Sequence, residues 1–573
     1  MAEFKTPGVY IKEISTLPAS VVPVATAIPA FVGYTAKAEK NGITIPANKP
    51  TRISSYLEFQ EIFGDAFPEK YQITINPDGT FTIPALASPS PYLMTYQVYM
   101  YFNNGGGPCW IVSTGIHDLT PDSNSLDVNE LIAGIRALEE EDEPTLLLVP
   151  ESVILGATDR KSLHDQMLAQ CAKLQDRFAL FDALLDTGMS VAENGNQFRA
   201  EVGSSNLSYG AAYFPSLRTI LYRNFKENEL TIIDNRTGPG LGPFHGLTLA
   251  EIGAGQKFAT GTIRITDFDV IDGDSFEIGG DTYLEGSEFN KDTSNITTAG
   301  SLTTAINTPP KARYGATREG GSNLITVTAK IEGEAGGDLT LVYTDNAGGG
   351  ATVSGSGSLT WVAPDKALYN AIMADLKSRL VDLYPSASMA GVFARVDSQR
   401  GVWKAPANEE IRSISRPALA VSSEEQGLLN VDATSGKSIN VIRFFQGRGN
   451  LVWGARTLAG NDNEWRYIPV RRLYLFVEES IKKATEFVVF EPNDANTWLR
   501  VKTMCENFLS SLWREGALAG AKPEQAFFVN VGLGKTMTAL DILEGRMNVE
   551  IGLAAVRPAE FIILKFSHKL QES

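Results

Sequence analysis

Residues 532–536, Gly-Leu-Gly-Lys-Thr, carry the residue types of a phosphate-binding loop. Such a loop needs the spacing GxxxxGK[ST], because a long glycine-flanked turn lets backbone N–H groups surround the phosphates. The position of the first glycine is taken by Val529, inside the apolar run 527–529. The residues after Thr536 also lack a long helical stripe that could direct a helix dipole at an anion. The sequence therefore predicts a turn after a buried strand, with no nucleotide and no other cofactor.

Other reactive side chains are scattered along the chain. The thiols and imidazoles are Cys109, Cys171, Cys505, His117, His164, His245 and His568. Their spacing fits neither a zinc site nor a disulfide framework, so we predict no metal and a reduced, cytosolic origin. The acidic run 139–143 is typical of a solvated helix end. No GxSxG elbow is present; a catalytic pair that assembles only in space stays open, and we predict that the chain is not an enzyme.

Charge and hydropathy exclude two classes of partner. The 573-residue chain has a formal net charge of -17, which repels the phosphates of nucleic acid. Its uncharged apolar runs are all shorter than the roughly 20 residues needed to span a bilayer. The opening MAEFKTPGVYIKEIS has no apolar core of a secretory signal. We predict no nucleic acid partner and no direct membrane insertion, so that any exit from the cell occurs by lysis or within an assembly.

Residues 1–35 are predicted to form an extended N-terminal arm. Prolines at positions 7, 18, 23 and 29 interrupt any helix. The strand-forming side chains between them include Val9, Tyr10, Ile11, Val22, Val24 and Ile28. At about 3.3 Å per residue such an arm reaches on the order of 90–100 Å. Two interpretations stay open: an edge strand of the chain's own domain, or a strand lent to another subunit.

The middle of the chain alternates helical segments with short apolar strands, which indicates an α/β layer. The predicted helices are 91–103, 128–140, 158–176 and 364–382, and the predicted strands are 110–112, 146–149 and 178–181. Between 257 and 356 the chain becomes rich in Gly, Thr, Ser and Asp, which favours a small β-rich unit with a helix near 299–307. We predict that 257–356 is a solvent-facing insertion in a discontinuous α/β domain, 36–256 and 357–394.

Residues 395–560 are predicted to form a C-terminal α/β domain. Its helices are expected over 473–485 and 494–515, and its strands over 439–445, 450–456, 526–531 and 547–556. The extension 561–573 opens with a strand, 561–568, that is apolar on both faces through Phe561, Ile562, Ile563, Leu564 and Phe566. Such a strand needs partners on its faces and its edges. The fold class is thus α/β (α+β), multidomain, with extended arms at both termini.

Several blocks of this sequence resemble contractile tail sheath proteins. The N-terminal blocks are 6–11 (TPGVYI), 101–106 (YFNNGG) and 109–112 (CWIV). The later blocks are 391–397 (GVFARVD), 400–408 (RGVWKAPAN), 447–449 (GRG), 452–457 (VWGART), 490–494 (FEPND), 508–518 (FLSSLWREGAL), 526–529 (AFFV), 551–554 (IGLA) and 557–562 (RPAEFI). The blocks follow the family's order, are dense from 389 to 566 and skip the predicted insertion.

The resemblance implies a structural subunit of a helical sleeve, built of stacked six-subunit rings around an inner tube. The sleeve would contract from a metastable extended state. Each subunit would lend its N-terminal arm and C-terminal extension to sheets of its neighbours by β-augmentation. Besides further copies of the chain, the implied partners are an inner tube protein and baseplate and terminator or cap proteins. Assembly in the bacterial cytoplasm as part of a phage tail, or of a tail-like particle that can be released, is implied as well.

The resemblance also assigns roles to residues. The exchanged strands would contain Val9, Tyr10, Ile11, Val22, Val24, Ile28, Phe561, Ile562, Ile563, Leu564 and Phe566. The end of helix 494–515 would contact the inner tube before firing through Arg514, Glu515, Gly516, Ala517 and Leu518; a core helix with solvent-facing charges is the open alternative. The competing function is a non-contractile surface or adhesion protein, which the β-rich insertion suggests.

Overall fold

The computed structural model describes residues 21–122, 125–236, 242–346, 348–354 and 357–563. The helices are α1 (Tyr56–Phe63), α2 (Met94–Asn103), α3 (Val128–Ala137), α4 (Ala157–Leu174), α5 (Val191–Ala200), α6 (Leu249–Ala254), α7 (Asn295–Asn307), α8 (Lys366–Ser378), α9 (Ser386–Arg400), α10 (Ser423–Asn430), α11 (Ile468–Thr485), α12 (Ala495–Arg514), α13 (Pro523–Ala526) and α14 (Ala539–Leu543).

The strands, in chain order, are β1 (Pro29–Thr35), β2 (Glu39–Lys40), β3 (Ile43–Thr44), β4 (Thr51–Ile53), β5 (Ile73–Ile75), β6 (Phe81–Thr82), β7 (Cys109–Ile116), β8 (Leu146–Leu148), β9 (Phe178–Asp182), β10 (Gly210–Phe214), β11 (Leu217–Tyr222), β12 (Ile232–Asp234), β13 (Phe258–Ile265), β14 (Ser275–Ile278), β15 (Asp281–Leu284), β16 (Tyr314–Thr317), β17 (Leu324–Glu332), β18 (Leu341–Thr344), β19 (Ala351–Val353), β20 (Leu380–Leu383), β21 (Ile414–Pro417), β22 (Ile439–Phe445), β23 (Gly449–Val452), β24 (Phe527–Val531) and β25 (Val549–Leu553). The predicted α/β multidomain class is confirmed.

The chain divides into two compact units, the first made of 1–67, 90–221 and 380–573 and the second of 68–89 and 222–379. The first unit is built on an eight-stranded sheet in the order β23-β22-β10-β9-β8-β1-β7-β4. The strands from β22 to β7 in this order are parallel, and β23 and β4 pair antiparallel at the two edges. All residues of β1, β8, β9 and β10 are buried, as expected of parallel strands covered on both faces.

Residues 29–35 lie in the middle of this sheet, so the predicted arm ends earlier than residue 35. In β1, Phe31 is in register with Ile111 on one side and with Leu148 on the other. Ile28 is also bound within the chain, because its N–H donates to Thr145 Oγ1 at 2.9 Å and its carbonyl accepts the Thr145 N–H at 2.8 Å. The placement of Ile28 in an exchanged strand is corrected: it is buried, and its own chain already satisfies its backbone.

The second unit has two separate apolar cores. One joins the sheet β12-β5-β6 to α6 and α8. The other joins the sheets β16-β17-β13-β19 and β15-β14-β18 to α7, and its buried residues run from Ala259 to Leu359. This second core lies in the part of the chain where the change in composition predicted an insertion, 257–356. The compact unit is larger than that insertion, because 68–89, 222–256 and 357–379 supply the first core.

Most predicted elements occur with small shifts at their ends. The helix predicted over 473–485 begins earlier, at Ile468, with a proline in its first turn, a position where the missing N–H costs nothing. Helices α1, α5, α9 and α10, and the short helices α6, α13 and α14, were not predicted from the sequence. In α9 nearly every residue from Ser386 to Val396 is buried, so the usual alternation of apolar and polar positions is absent.

Candidate functional site

The C-terminal part of the first unit packs α11, α12 and the β24–β25 hairpin around one apolar cluster. The members include Leu473, Val501, Leu509 and Val529, all buried. The side chain of Asp494 accepts the N–H groups of Asn496 and Thr497, each at 3.0 Å, and caps the start of α12. This cluster fixes the positions of both the hairpin and the end of α12.

The end of α12 exposes only part of the predicted tube contact. Gly516 has φ +85°, a backbone conformation that favours glycine, and the N–H of Ala517 then donates to the Leu512 carbonyl at 2.9 Å. Arg514, Glu515 and Gly516 are exposed. Ala517 and Leu518 are 0% and 4% exposed inside the cluster. The assignment of these last two residues to a tube contact is corrected, because they are buried in the core of their own chain.

The β24–β25 hairpin is a two-stranded antiparallel sheet with Val529 opposite Ile551. At its end β25 is also bonded to other parts of the chain: Tyr474 Oη donates to the Leu553 carbonyl at 2.9 Å, and just beyond the strand the Ala519 N–H donates to the Ala554 carbonyl at 2.7 Å. Within the described ranges, no strand pairs with the outer edge of β24. An unpaired strand edge is a template for another strand. The sequence analysis predicted both strands but did not identify this edge.

The described part of the C-terminal extension is apolar and uncovered. Phe561, Ile562 and Ile563 are 71%, 81% and 78% exposed and belong to no helix or strand. The strand predicted over 561–568 is therefore not formed in these three residues, while Leu564 and Phe566 lie outside the described residues. Consecutive large apolar side chains that are all exposed mark an interaction site.

The described part of the N-terminal arm is held by its own chain. Val21 is buried in the C-terminal cluster, and the Val24 N–H donates to Ser480 Oγ at 3.2 Å. Val22 is 76% exposed. Val9, Tyr10 and Ile11 lie outside the described residues. The described residues of the arm thus contact their own chain at Val21 and Val24.

The turn 532–536 closes on itself and leaves little room for a phosphate. The Gly532 carbonyl accepts the N–H groups of Thr536 and Met537 at 3.1 and 3.2 Å, and the Gly532 N–H donates to Thr536 Oγ1 at 3.2 Å. The predicted turn after β24 is confirmed. A phosphate would have to compete with these bonds for the same backbone groups.

The acidic run and the histidines have structural surroundings. Glu139 pairs with Lys173 at 2.5 Å and Glu143 with Arg52 at 2.8 Å, which fits the predicted solvated helix end. Burial lowers the pKa values of His117 and His164 to about 4, so both imidazoles are neutral. Among the described residues there is no cluster of three or more histidine, cysteine or acidic side chains that suits a metal. Nor does any described helix combine the length and the apolar character that a bilayer crossing requires.

Two family models match the second half of the chain. Residues 339–458 match the phage tail sheath protein central domain, and residues 460–569 match the phage tail sheath C-terminal domain. A prophage major tail sheath protein of Pseudomonas aeruginosa (strain UCBPP-PA14) is 27% identical over 184 residues, which cover 30% of this chain and 43% of that protein. The matched segment thus spans less than half the length of this curated relative.

Two solved structures match over nearly the whole chain. A chain of the anti-feeding prophage baseplate, 6-fold symmetrised, is 27% identical with a TM-score of 0.54, covering 99% of this chain and 100% of that chain. The sheath complex of an extracellular contractile injection system, PVC, in its contracted state is 26% identical with a TM-score of 0.53, covering 99% of each chain. The similarity therefore includes both compact units.

Proposed function

The chain belongs to the contractile tail sheath family, and from this premise we propose that it polymerises as a helical sleeve of six-subunit rings that contracts around an inner tube. The observation that carries the proposal is that one chain has two surfaces without a partner. The segment 561–563 exposes three large apolar side chains, and no strand of the described residues pairs with the outer edge of β24. The C-terminal strand of one copy completing the β24–β25 hairpin of another would satisfy both.

The energetics of one lent strand favour a polymer over a stable dimer. Five strand hydrogen bonds contribute about 5 kcal/mol net, and four buried apolar side chains contribute about 8 kcal/mol. Ordering six or seven residues costs about 10 kcal/mol. One exchange is therefore worth only a few kcal/mol, and many exchanges in a lattice act together. We expect a monomer that polymerises cooperatively.

The proposed contraction releases free energy stored in the extended packing and needs no nucleotide. The turn 532–536, whose backbone groups are already bonded within the chain, supports this. The exchanged strands would act as hinges while the rigid C-terminal parts rotate. We propose an inner tube protein, a baseplate and a terminator or cap protein as partners, with assembly in the bacterial cytoplasm within a phage tail or tail-like particle. The alternative of a non-contractile adhesion protein is disfavoured, because one of the matched structures is the sheath complex of a contractile injection system.

Electron microscopy of the overexpressed chain tests the proposal. We expect hollow, striated tubes with six-fold symmetry and with residues 257–356 projecting outward. Soluble monomers at high concentration, or solid fibres, would contradict the polymer. Density of residues 257–356 inside the tube would contradict their outward position, which rests on the separate core between Ala259 and Leu359.

Reversing the charge of Arg514 should weaken assembly on tubes. Arg514 is exposed in the last turn of α12, and we propose that it faces an acidic tube surface. For Arg514→Glu we expect assembly to need about tenfold more tube protein, because like charges at an interface cost at least about 1.4 kcal/mol. Co-sedimentation with purified tubes measures this. Lys535→Glu is the matched control, since Lys535 is also exposed; equal behaviour of the two variants would remove Arg514 from the tube contact.

A further inference from the structure

One carboxylate holds the C-terminal extension to the body of its own chain. Glu560 Oε2 accepts from Arg456 Nη2 at 2.6 Å and Glu560 Oε1 accepts from Arg456 Nε at 2.9 Å. Asn430 Nδ2 donates to Oε1 at 2.7 Å and Tyr467 Oη donates to Oε2 at 3.1 Å. Both oxygens of this carboxylate are thus occupied, by three donors from three different segments of the chain.

The arginine in this contact is itself fixed. Arg456 is 4% exposed, and its N–H donates to Asn440 Oδ1 at 2.8 Å. Asn440 belongs to β22, and its Nδ2 donates back to the Arg456 carbonyl at 2.8 Å and to the Ala212 carbonyl of β10 at 3.1 Å. The contact therefore connects Glu560 to the parallel strands of the eight-stranded sheet.

The chain is bonded to its own subunit up to Glu560 and is largely exposed after it. Before it, the Val556 N–H donates to the Ala517 carbonyl at 3.2 Å and Arg557 donates to the Asn463 carbonyl at 2.8 Å. After it, Phe561, Ile562 and Ile563 are mostly exposed. A pull on the extension would reach Glu560 first. Without Glu560 the same pull would act on the Ala554–Val556 bonds and could peel them apart one at a time.

We propose that Glu560 is the anchor that transmits the load on the donated C-terminal strand to the eight-stranded sheet of the donor subunit. The inference rests on the proposed strand exchange and adds the residue that makes the exchange able to bear force. A bidentate arginine–carboxylate contact suits this role, because two parallel bonds must break together. Burial raises the pKa of Glu560, but the bonds from Arg456, Asn430 and Tyr467 outweigh that effect and lower it overall, so the carboxylate is charged at neutral pH.

Glu560→Gln in the full-length chain tests the anchor. In the monomer we expect amide hydrogen exchange at Ala554 and Val556, whose N–H groups donate to the Ala526 and Ala517 carbonyls, to accelerate about tenfold or more, because bonds to a charged group that hold the following residues are lost, with unchanged melting of the remaining structure. Sleeves of the variant should form, yet break into short pieces when sub-denaturing urea triggers contraction. A purely structural residue would not fragment sleeves selectively on contraction. Glu506→Gln, which removes the exposed partner of Lys502, is the control and should leave contracted sleeves intact.

A milder variant keeps the test decisive if Glu560→Gln fails to fold. Tyr467→Phe removes one bond to Glu560 and should give about two- to threefold faster exchange at Ala554 and Val556, with partial fragmentation. Unchanged exchange in the variants, or intact sleeves after contraction, would overturn the anchor. Failure of the strand exchange itself has a different signature: the chain with residues 561–563 replaced would then still build sleeves.

Discussion

Replacing Phe561, Ile562 and Ile563 together by serine should abolish sleeve formation without destabilising the monomer. These side chains are 71%, 81% and 78% exposed, so the isolated chain loses almost no buried area. In the sleeve they would be buried in a neighbour's sheet, and losing three such side chains costs about 6 kcal/mol per exchanged strand. We expect the critical concentration to rise about a thousandfold or more. Turbidity and electron microscopy across a concentration series measure this.

A control variant shows whether the loss of any exposed apolar side chain would reduce polymerisation. Leu57 and Leu119 are 74% and 89% exposed, and their replacement by serine should leave polymerisation at the wild-type concentration. The 561–563 variant keeps its β24 edge, so it can accept a strand but not donate one. Added in small amounts to the wild-type chain, it should shorten the sleeves by ending growth. If the variant polymerises like the wild type, the C-terminal strand is not the exchanged element.

The spacing of apolar residues along the sequence predicts much of the fold, because these are the residues that a single chain buries when it folds. It locates the ends of α12 well, since Asp494 and Gly516 have a local role at each end. It fails at β1, where the prolines that precede Phe31 suggested an arm running on to residue 35. The run 30–34 contains no proline and is buried. In this case the strand propensity of the run outweighed the expectation set by Pro29.

The candidate site is harder to predict, because its parts are surfaces that lack a partner within a single described chain. The apolar pattern of Phe561–Ile563 shows that burial is needed, but not where the partner lies. The open edge of β24 follows only from the strand pairings of all the described residues taken together. Glu560 and Arg456 are 104 positions apart, a separation at which spacing gives no signal. Tertiary structure alone brings them together.

The contribution of Glu151 to the stability of the first unit should fall as the pH rises from about 5 to 8, because this acid is buried. Glu151 is fully buried, and its Oε1 accepts the N–H groups of Met94 and Leu93 at 2.7 and 3.1 Å. Burial raises its pKa from 4.5 to about 8, against a smaller opposing effect of these bonds. Between the two values the folded chain holds a proton that the unfolded chain has released. Folding therefore takes up a proton, and stability falls by about 1.4 kcal/mol per pH unit.

The neighbourhood of Glu151 explains why the charged form is disfavoured. Its Oε2 is buried and has no hydrogen-bond partner among the described residues. A Cβ on Gly33 of β1 would lie 2.1 Å from this oxygen, so the central strand approaches the carboxyl too closely for a water between them. Asp182 adds to the effect with the same sign, because burial raises its pKa from 3.8 to about 7 while it accepts the Ser386 N–H at 2.8 Å.

Glu151→Gln isolates the contribution of this one group. The amide oxygen can still accept both N–H groups at the start of α2, but the side chain no longer titrates. The free energy of opening at the amides of residues 93–98, measured by native-state hydrogen exchange, should fall with pH in the wild type by several kcal/mol more than in the variant. Glu506→Gln, at an exposed site, should follow the wild-type curve. Parallel curves for wild type and Glu151→Gln between pH 5 and 8 would mean that Glu151 ionises in the folded chain as readily as in water, and the buried, unpaired Oε2 would then need another explanation.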